Sequence, residues 1–133
     1  MPLSHTVKVR VRYGETDQGG VVYHANYFLY FESGRTELLR AAGVIYRDLE
    51  RKGLFLVVTE ASCKYRAAAR YDDELSIVTR VDQVGKATVG FTYRVLGPEG
   101  RLRAEGHTLL ASVDADKNPV RLPPEVSELL QKS

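Results

Sequence analysis

Val7, Val9, Val11 and Tyr13 alternate with Lys8, Arg10 and Arg12. A period of two marks a strand with one buried face. From Asn26 the period changes. Tyr27, Phe28, Phe31, Leu38, Leu39 and Ala42 recur at helical spacing, which predicts a helix over 26–42, about 25 Å long. Gly34 shares that apolar side, where bare backbone allows close packing on a sheet. Glu32, Thr36 and Arg40 lie opposite. Asn26 is the cap-type residue at the start, and Gly43 is the stop. A short second helix fits 46–52, ended by Gly53.

The remainder reads as strands. The stretch 54–66 is rich in β-branched and aromatic residues, and Tyr71-Asp72-Asp73 reads as a turn. Leu75, Ile77 and Val81 begin the next strand, with a hairpin at Gly85-Lys86. Val89, Phe91, Tyr93 and Val95 alternate with Thr88, Gly90, Thr92 and Arg94. Gly97-Pro98-Glu99-Gly100 turns the chain into a last strand over 101–114. Pro123 or Pro124 opens a terminal helix docked by Val126, Leu129 and Leu130. Hairpins in succession make the sheet mainly antiparallel. One long helix, apolar on one side, must lie against that sheet. The expected fold class is therefore α+β: a curved antiparallel sheet around a central helix, as a single domain over 1–133.

Composition narrows the function classes. The chain has 133 residues and a net charge of +2, enough length for a core that needs no staple. Basic and acidic residues are interleaved, so charge gives no reason to expect nucleic acid. No apolar run reaches the length of a membrane span, and the start lacks a secretory signal's apolar core. The single Cys63 excludes an internal disulfide. These features predict a cytoplasmic protein. His5 and His107 stand apart without metal-ligand spacing, so no metal site is expected.

The chemistry concentrates in one stretch. Tyr13-Gly14-Glu15-Thr16-Asp17-Gln18-Gly19-Gly20-Val21-Val22-Tyr23-His24-Ala25-Asn26-Tyr27 holds two carboxylates, a histidine and a Gly-Gly pair just before the helix. A helix N-terminus offers free N–H groups and partial positive charge. A carboxylate beside such donors suits carbonyl chemistry. The other reading of Asp17 is an Asx turn.

This loop resembles that of the hotdog-fold acyl-CoA thioesterases of the 4-hydroxybenzoyl-CoA thioesterase family, most closely their YbgC-like branch. The motif runs from Arg12 through Tyr27 and on into Tyr30, Glu32, Arg35, Glu37 and Arg40; Lys64-Tyr65-Arg66 and Asp72-Asp73-Glu74-Leu75 also match its style. The resemblance implies an enzyme that hydrolyses an acyl-CoA thioester. It implies homodimers joined sheet edge to sheet edge, often paired into homotetramers, with active sites at the dimer interface. No cofactor is implied beyond coenzyme A as part of substrate and product. The alternatives are an acyl carrier protein substrate, or a non-catalytic acyl-CoA-binding module.

Under that resemblance Asp17 is the general base or the nucleophile, with loop and helix N-terminal backbone amides near Tyr23 and His24 as oxyanion donors. The His24 side chain orients the carbonyl or the water, or only bonds at the helix start. Gly20 lets the loop approach the ligand; Val22 and Tyr27 are expected on the substrate. Asn26 is a helix cap or a pocket contact. Lys64, Arg66 and Lys86 are candidates for the coenzyme A phosphates, or simply solvated. Glu15 is expected to be structural, paired with Arg12 or Arg35. Glu32 lies on the central helix, where another hotdog branch carries its catalytic carboxylate, but its spacing to Arg35 favours an ion pair.

Overall fold

Strand β1 (Ser4–Arg10) leads into a 3-10 turn at Tyr13–Glu15 and then helix α1 (Asn26–Ala41). Helix α2 (Tyr46–Arg51) and strands β2 (Phe55–Tyr65), β3 (Glu74–Val84), β4 (Thr88–Leu96) and β5 (Leu102–Val113) follow, with helix α3 (Pro124–Gln131) last. This computed structural model describes residues 3–131; Met1, Pro2, Lys132 and Ser133 lie outside the described residues.

All five strands form one antiparallel sheet in the order β1-β3-β4-β5-β2. This corrects one expectation. Strands β3, β4 and β5 are joined by hairpins, but β2 pairs with β5 at the far edge and not with β3. The β2–β3 connection therefore crosses the sheet. Alternation specifies which face of a strand is buried, not which strand it pairs with.

Helix α1 packs on β1 and β3 and reaches β4. It buries Tyr27, Tyr30, Phe31, Gly34, Leu38 and Leu39. Phe31 stacks on Tyr93 with centroids 4.3 Å apart; burying such a ring contributes about 1.5–3 kcal/mol. Gly34 is there for space. A Cβ on it would collide with Thr79 Oγ1 and come within 2.9 Å of Ile77 Cγ2. Phe28 is only half-buried, because Tyr30 rather than Phe28 takes the inward position. Thr36 was expected to face away but is half-buried. The helix stops at Gly43, with φ +97°. It has no side-chain cap: Ala25 is the N-cap.

Because α1 covers the β1–β3–β4 side, the β2 end of the sheet is less covered. Val58 and Tyr65 on β2 are each 47% exposed. Among the described residues no helix is long and apolar enough to cross a membrane.

Candidate active site

The expected strand through Tyr13 ends early, at Arg10. Tyr13 is 78% exposed, since the chain turns where the Arg12 N–H donates to Glu15 Oε1 at 2.9 Å. Glu15 then organises the loop. Its carboxylate also accepts the Tyr30 hydroxyl at 3.0 Å. Its carbonyl accepts the Tyr23 N–H at 2.9 Å and the Asn26 side-chain amide at 2.8 Å. Glu15 is thus structural, as expected, but through the Arg12 backbone and Tyr30 rather than an arginine side chain. Burial, and then the Glu15 carboxylate, push the Tyr30 hydroxyl well above its usual range, so it stays a donor.

Between Thr16 and Val22 the chain folds back on itself. The Asp17 N–H donates to Val21 O at 2.9 Å, and Gly20 N–H to Asp17 O at 3.0 Å. Gly20 has φ +80°, a conformation that side chains resist. Val22 N–H donates to Ala69 O at 2.8 Å, which fastens the loop to the β2–β3 connection. The two carboxylate oxygens of Asp17 differ. Oδ1 accepts Gly19 N–H at 2.8 Å and Val21 N–H at 3.4 Å, which is an Asx-type turn. Oδ2 has no partner among the described residues. One oxygen shapes the turn and the other is free for chemistry.

The amide donors differ from expectation at one position. The Tyr23 N–H is spent on Glu15 O, because the loop's returning arm pairs with its outgoing arm. The His24 and Ala25 N–H groups have no acceptor among the described residues. They are the free donors ahead of α1.

Asp17, Val21, Val22, His24, Tyr27, Tyr65, Arg66, Ala67 and Ala68 enclose a pocket of about 360 Å³. Five expected residues therefore meet: Asp17, Val22, His24, Tyr27 and Arg66. Burial raises the Tyr27 hydroxyl above its ordinary value. Tyr23 is 47% exposed and its ring leans on His24 at 4.6 Å. Gly20 and Asn26 shape the loop and are not on the pocket wall; Asn26 neither caps the helix nor reaches the cavity, because its amide is held by Glu15 O.

The basic residues separate. Lys64 and Arg66 line different cavities, although Arg66, just past the end of β2, reaches back to Glu105, the cross-strand partner of Lys64. Arg66 joins the pocket and pairs with Glu105 at 3.1 Å. Lys64 lines a groove with Arg80, Arg94 and His107. Lys86 lies with Arg121 in another groove of about 580 Å³.

Tyr65 was missed as a pocket residue. Strand alternation puts it on the opposite face from Lys64, and no motif around it in the sequence marks its ring as a pocket wall. A second cavity, about 260 Å³, is lined by Glu32, Arg35, Thr36, Leu39, Tyr46, Leu56 and Leu110. There Glu32 is paired with Arg35 at 3.9 Å, the ion pair its spacing predicted.

The match to known proteins spans this site. Residues 11–130 fit the model of the thioesterase-like superfamily. The chain belongs to that superfamily. This thioesterase-like chain is 41% identical over 120 residues to the acyl-CoA thioesterase YbgC of Haemophilus influenzae, covering 89% of this chain and 88% of that one. A DHNA-CoA thioesterase from Staphylococcus aureus superposes with a TM-score of 0.93 at 28% identity, covering 95% of this chain and 87% of that one. A hypothetical protein from Aquifex aeolicus superposes at 0.90 with 34% identity, covering 95% and 98%. The hotdog fold, the family resemblance and the standing as a hydrolase are borne out by these likenesses.

Proposed function

We propose that this thioesterase hydrolyses an acyl-CoA to the free acid and coenzyme A, with Asp17 as the acting carboxylate. The observation that carries this reading is the free Asp17 Oδ2 in one pocket with His24, whose own N–H and that of the next residue, Ala25, are unpaired among the described residues. In the general-base route, Asp17 takes a proton from water as its oxygen attacks the thioester carbonyl carbon. The His24 and Ala25 N–H groups hold the oxyanion that forms. Collapse breaks the C–S bond, and the coenzyme A thiolate takes up the proton. In the nucleophilic route, Asp17 Oδ2 attacks the carbonyl carbon and the C–S bond breaks to release the coenzyme A thiolate. Water then cleaves the mixed anhydride to the free acid and the Asp17 carboxylate, and the thiolate takes up the proton that water loses. The His24 side chain orients the carbonyl or the water. Val22 and Tyr27 form acyl walls. Neither route calls on a metal or cofactor.

Lys86 with Arg121 supports a phosphate contact, as does Arg66 at the pocket rim; Lys64 is the weakest of the three. The eleven-residue edge strand β2 supports pairing with a second copy through its open side. That copy would extend the pocket beyond Tyr65, giving a homodimer or homotetramer with its sites at the interface. The proposed compartment is the cytoplasm. An acyl carrier protein is the second substrate reading.

The test is free-thiol release from a panel of short, long and aromatic acyl-CoAs, with wild type beside Asp17→Asn. Turnover that collapses in the variant while coenzyme A binding persists supports the proposal and names the acyl class. Wild type inactive on the whole panel, but active on an acylated carrier protein, overturns the coenzyme A reading. Light scattering on the same sample reads the oligomer, and a monomer contradicts the edge-to-edge pairing.

A further inference from the structure

Tyr65 is the last residue of the edge strand β2, and its hydroxyl donates to the His24 carbonyl at 3.0 Å. This bond links positions 41 residues apart and closes one side of the Asp17 pocket. It ends on the peptide whose N–H belongs to Ala25, one of the two free donors. Among the described residues the same carbonyl receives only one other bond, a long 3.4 Å approach from Tyr27 N–H. The helix supplies no side-chain cap to fix this end. The ring is held as well: it meets Tyr27 edge-on at 5.4 Å and His24 at 6.2 Å.

We infer that Tyr65 is a positioning residue for the reaction: its hydroxyl anchors the His24–Ala25 peptide so that the free Ala25 amide points at the thioester carbonyl. This inference rests on the thioesterase reading above. A hydroxyl donor on a peptide carbonyl also polarises that peptide's own N–H, strengthening it as a donor. Hydrogen-bond donors to a developing oxyanion act through their placement, and a small displacement weakens them steeply. Tyr65 does not exchange a proton in this role. Partial burial, then the neighbouring Cys63, push its hydroxyl to about 12, so it remains protonated at neutral pH. The second anchor is Glu15, which fixes the other side of the same junction through Tyr23 and Asn26. The two anchors come from the edge strand and from the loop, so neither replaces the other.

The experiment compares wild type with Tyr65→Phe, which keeps the ring and removes only the donor. Two readouts are taken. The first is the amide NMR cross-peaks of His24 and Ala25 in the substrate-free protein. The second is kcat and KM for the best acyl-CoA of the panel, with the pH profile of kcat. The expected result is displaced His24 and Ala25 peaks, an unchanged melting temperature, and kcat about tenfold lower with KM within about twofold. The shape of the pH profile should stay the same. Unmoved amide peaks overturn the inference whatever the substrate. Unchanged kcat also overturns it, as does a change confined to KM, which would make Tyr65 a substrate contact. A lost limb of the pH profile would make it a proton donor and overturn positioning. Displaced peaks with a wild type inactive on every acyl-CoA leave the anchor standing and sink the hydrolase reading instead.

Discussion

Two cavities flank helix α1, and each has a carboxylate at its wall. At the N-terminal end Asp17 faces a pocket with His24 and Tyr65. Further along, Glu32 faces a smaller cavity with Arg35, Leu39 and Leu56. Only the first has the parts for carbonyl chemistry. Asp17 has a free oxygen beside unpaired backbone donors. Glu32 has a cation at 3.9 Å, and Arg35 is itself held toward Tyr93 Oη at 3.5 Å. At mid-helix the backbone N–H groups are consumed by the helix's own ladder. A carboxylate on a helix flank therefore has no oxyanion donors within its own segment, whereas one ahead of the first turn does.

The comparison can be broken most severely by exchanging charge for amide at each carboxylate. Asp17→Asn is expected to lower kcat by about 10²–10⁴-fold, the range of a lost acid–base group. Glu32→Gln is expected to change it by less than about threefold, since the Glu32 carboxylate is largely exposed and stands 3.9 Å from Arg35. Next in size is the loss of one backbone donor. Ala25 already has φ −67°, which proline adopts. Ala25→Pro should lower kcat about 10²-fold, and should lower the melting temperature as well, because proline at the third position of the Tyr23–Asn26 turn restricts His24. An unaltered kcat would assign the oxyanion to His24 N–H alone.

Gly34 lies on the stretch of α1 that lines the second cavity, on the side packed against β3. Gly34→Ala should cost about 1–3 kcal/mol in denaturant unfolding, through overpacking on Thr79 and Ile77. Stability unchanged within error would mean that the helix shifts freely on β3. The smallest effect is on pH dependence. Tyr30 has its hydroxyl raised in the folded protein relative to about 10 unfolded. Above pH ~10 the unfolded chain loses this proton while the folded one keeps it, so stability falls as pH rises. Melting temperature should drop through that window, and less steeply in Tyr30→Phe.

Much of this site was legible in the sequence, and the exceptions share a cause. Asp17, Val22, His24 and Tyr27 stood out because a carboxylate, a histidine and glycines gathered before an apolar helical period. The helix limits followed from Gly43 and the spacing of Phe31, Leu38 and Leu39. What stayed hidden depends on chain segments meeting at a distance. Nothing near Tyr23 in sequence says that Glu15 O will take its amide. Nothing near Tyr65 says that its hydroxyl will reach His24. The pairing of β2 with β5 was hidden likewise, since alternation in β2 suits any neighbour. Lys64 and Arg66 line different cavities because the strand ends between them, at Tyr65.

The most direct test of the central claim is kcat for thiol release, measured side by side for wild type, Asp17→Asn and Glu32→Gln on the best acyl-CoA. Collapse at Asp17 with near-normal turnover at Glu32 is the result this account predicts. Collapse at Glu32 with Asp17→Asn still active would contradict it, moving the chemistry to the cavity beside Arg35.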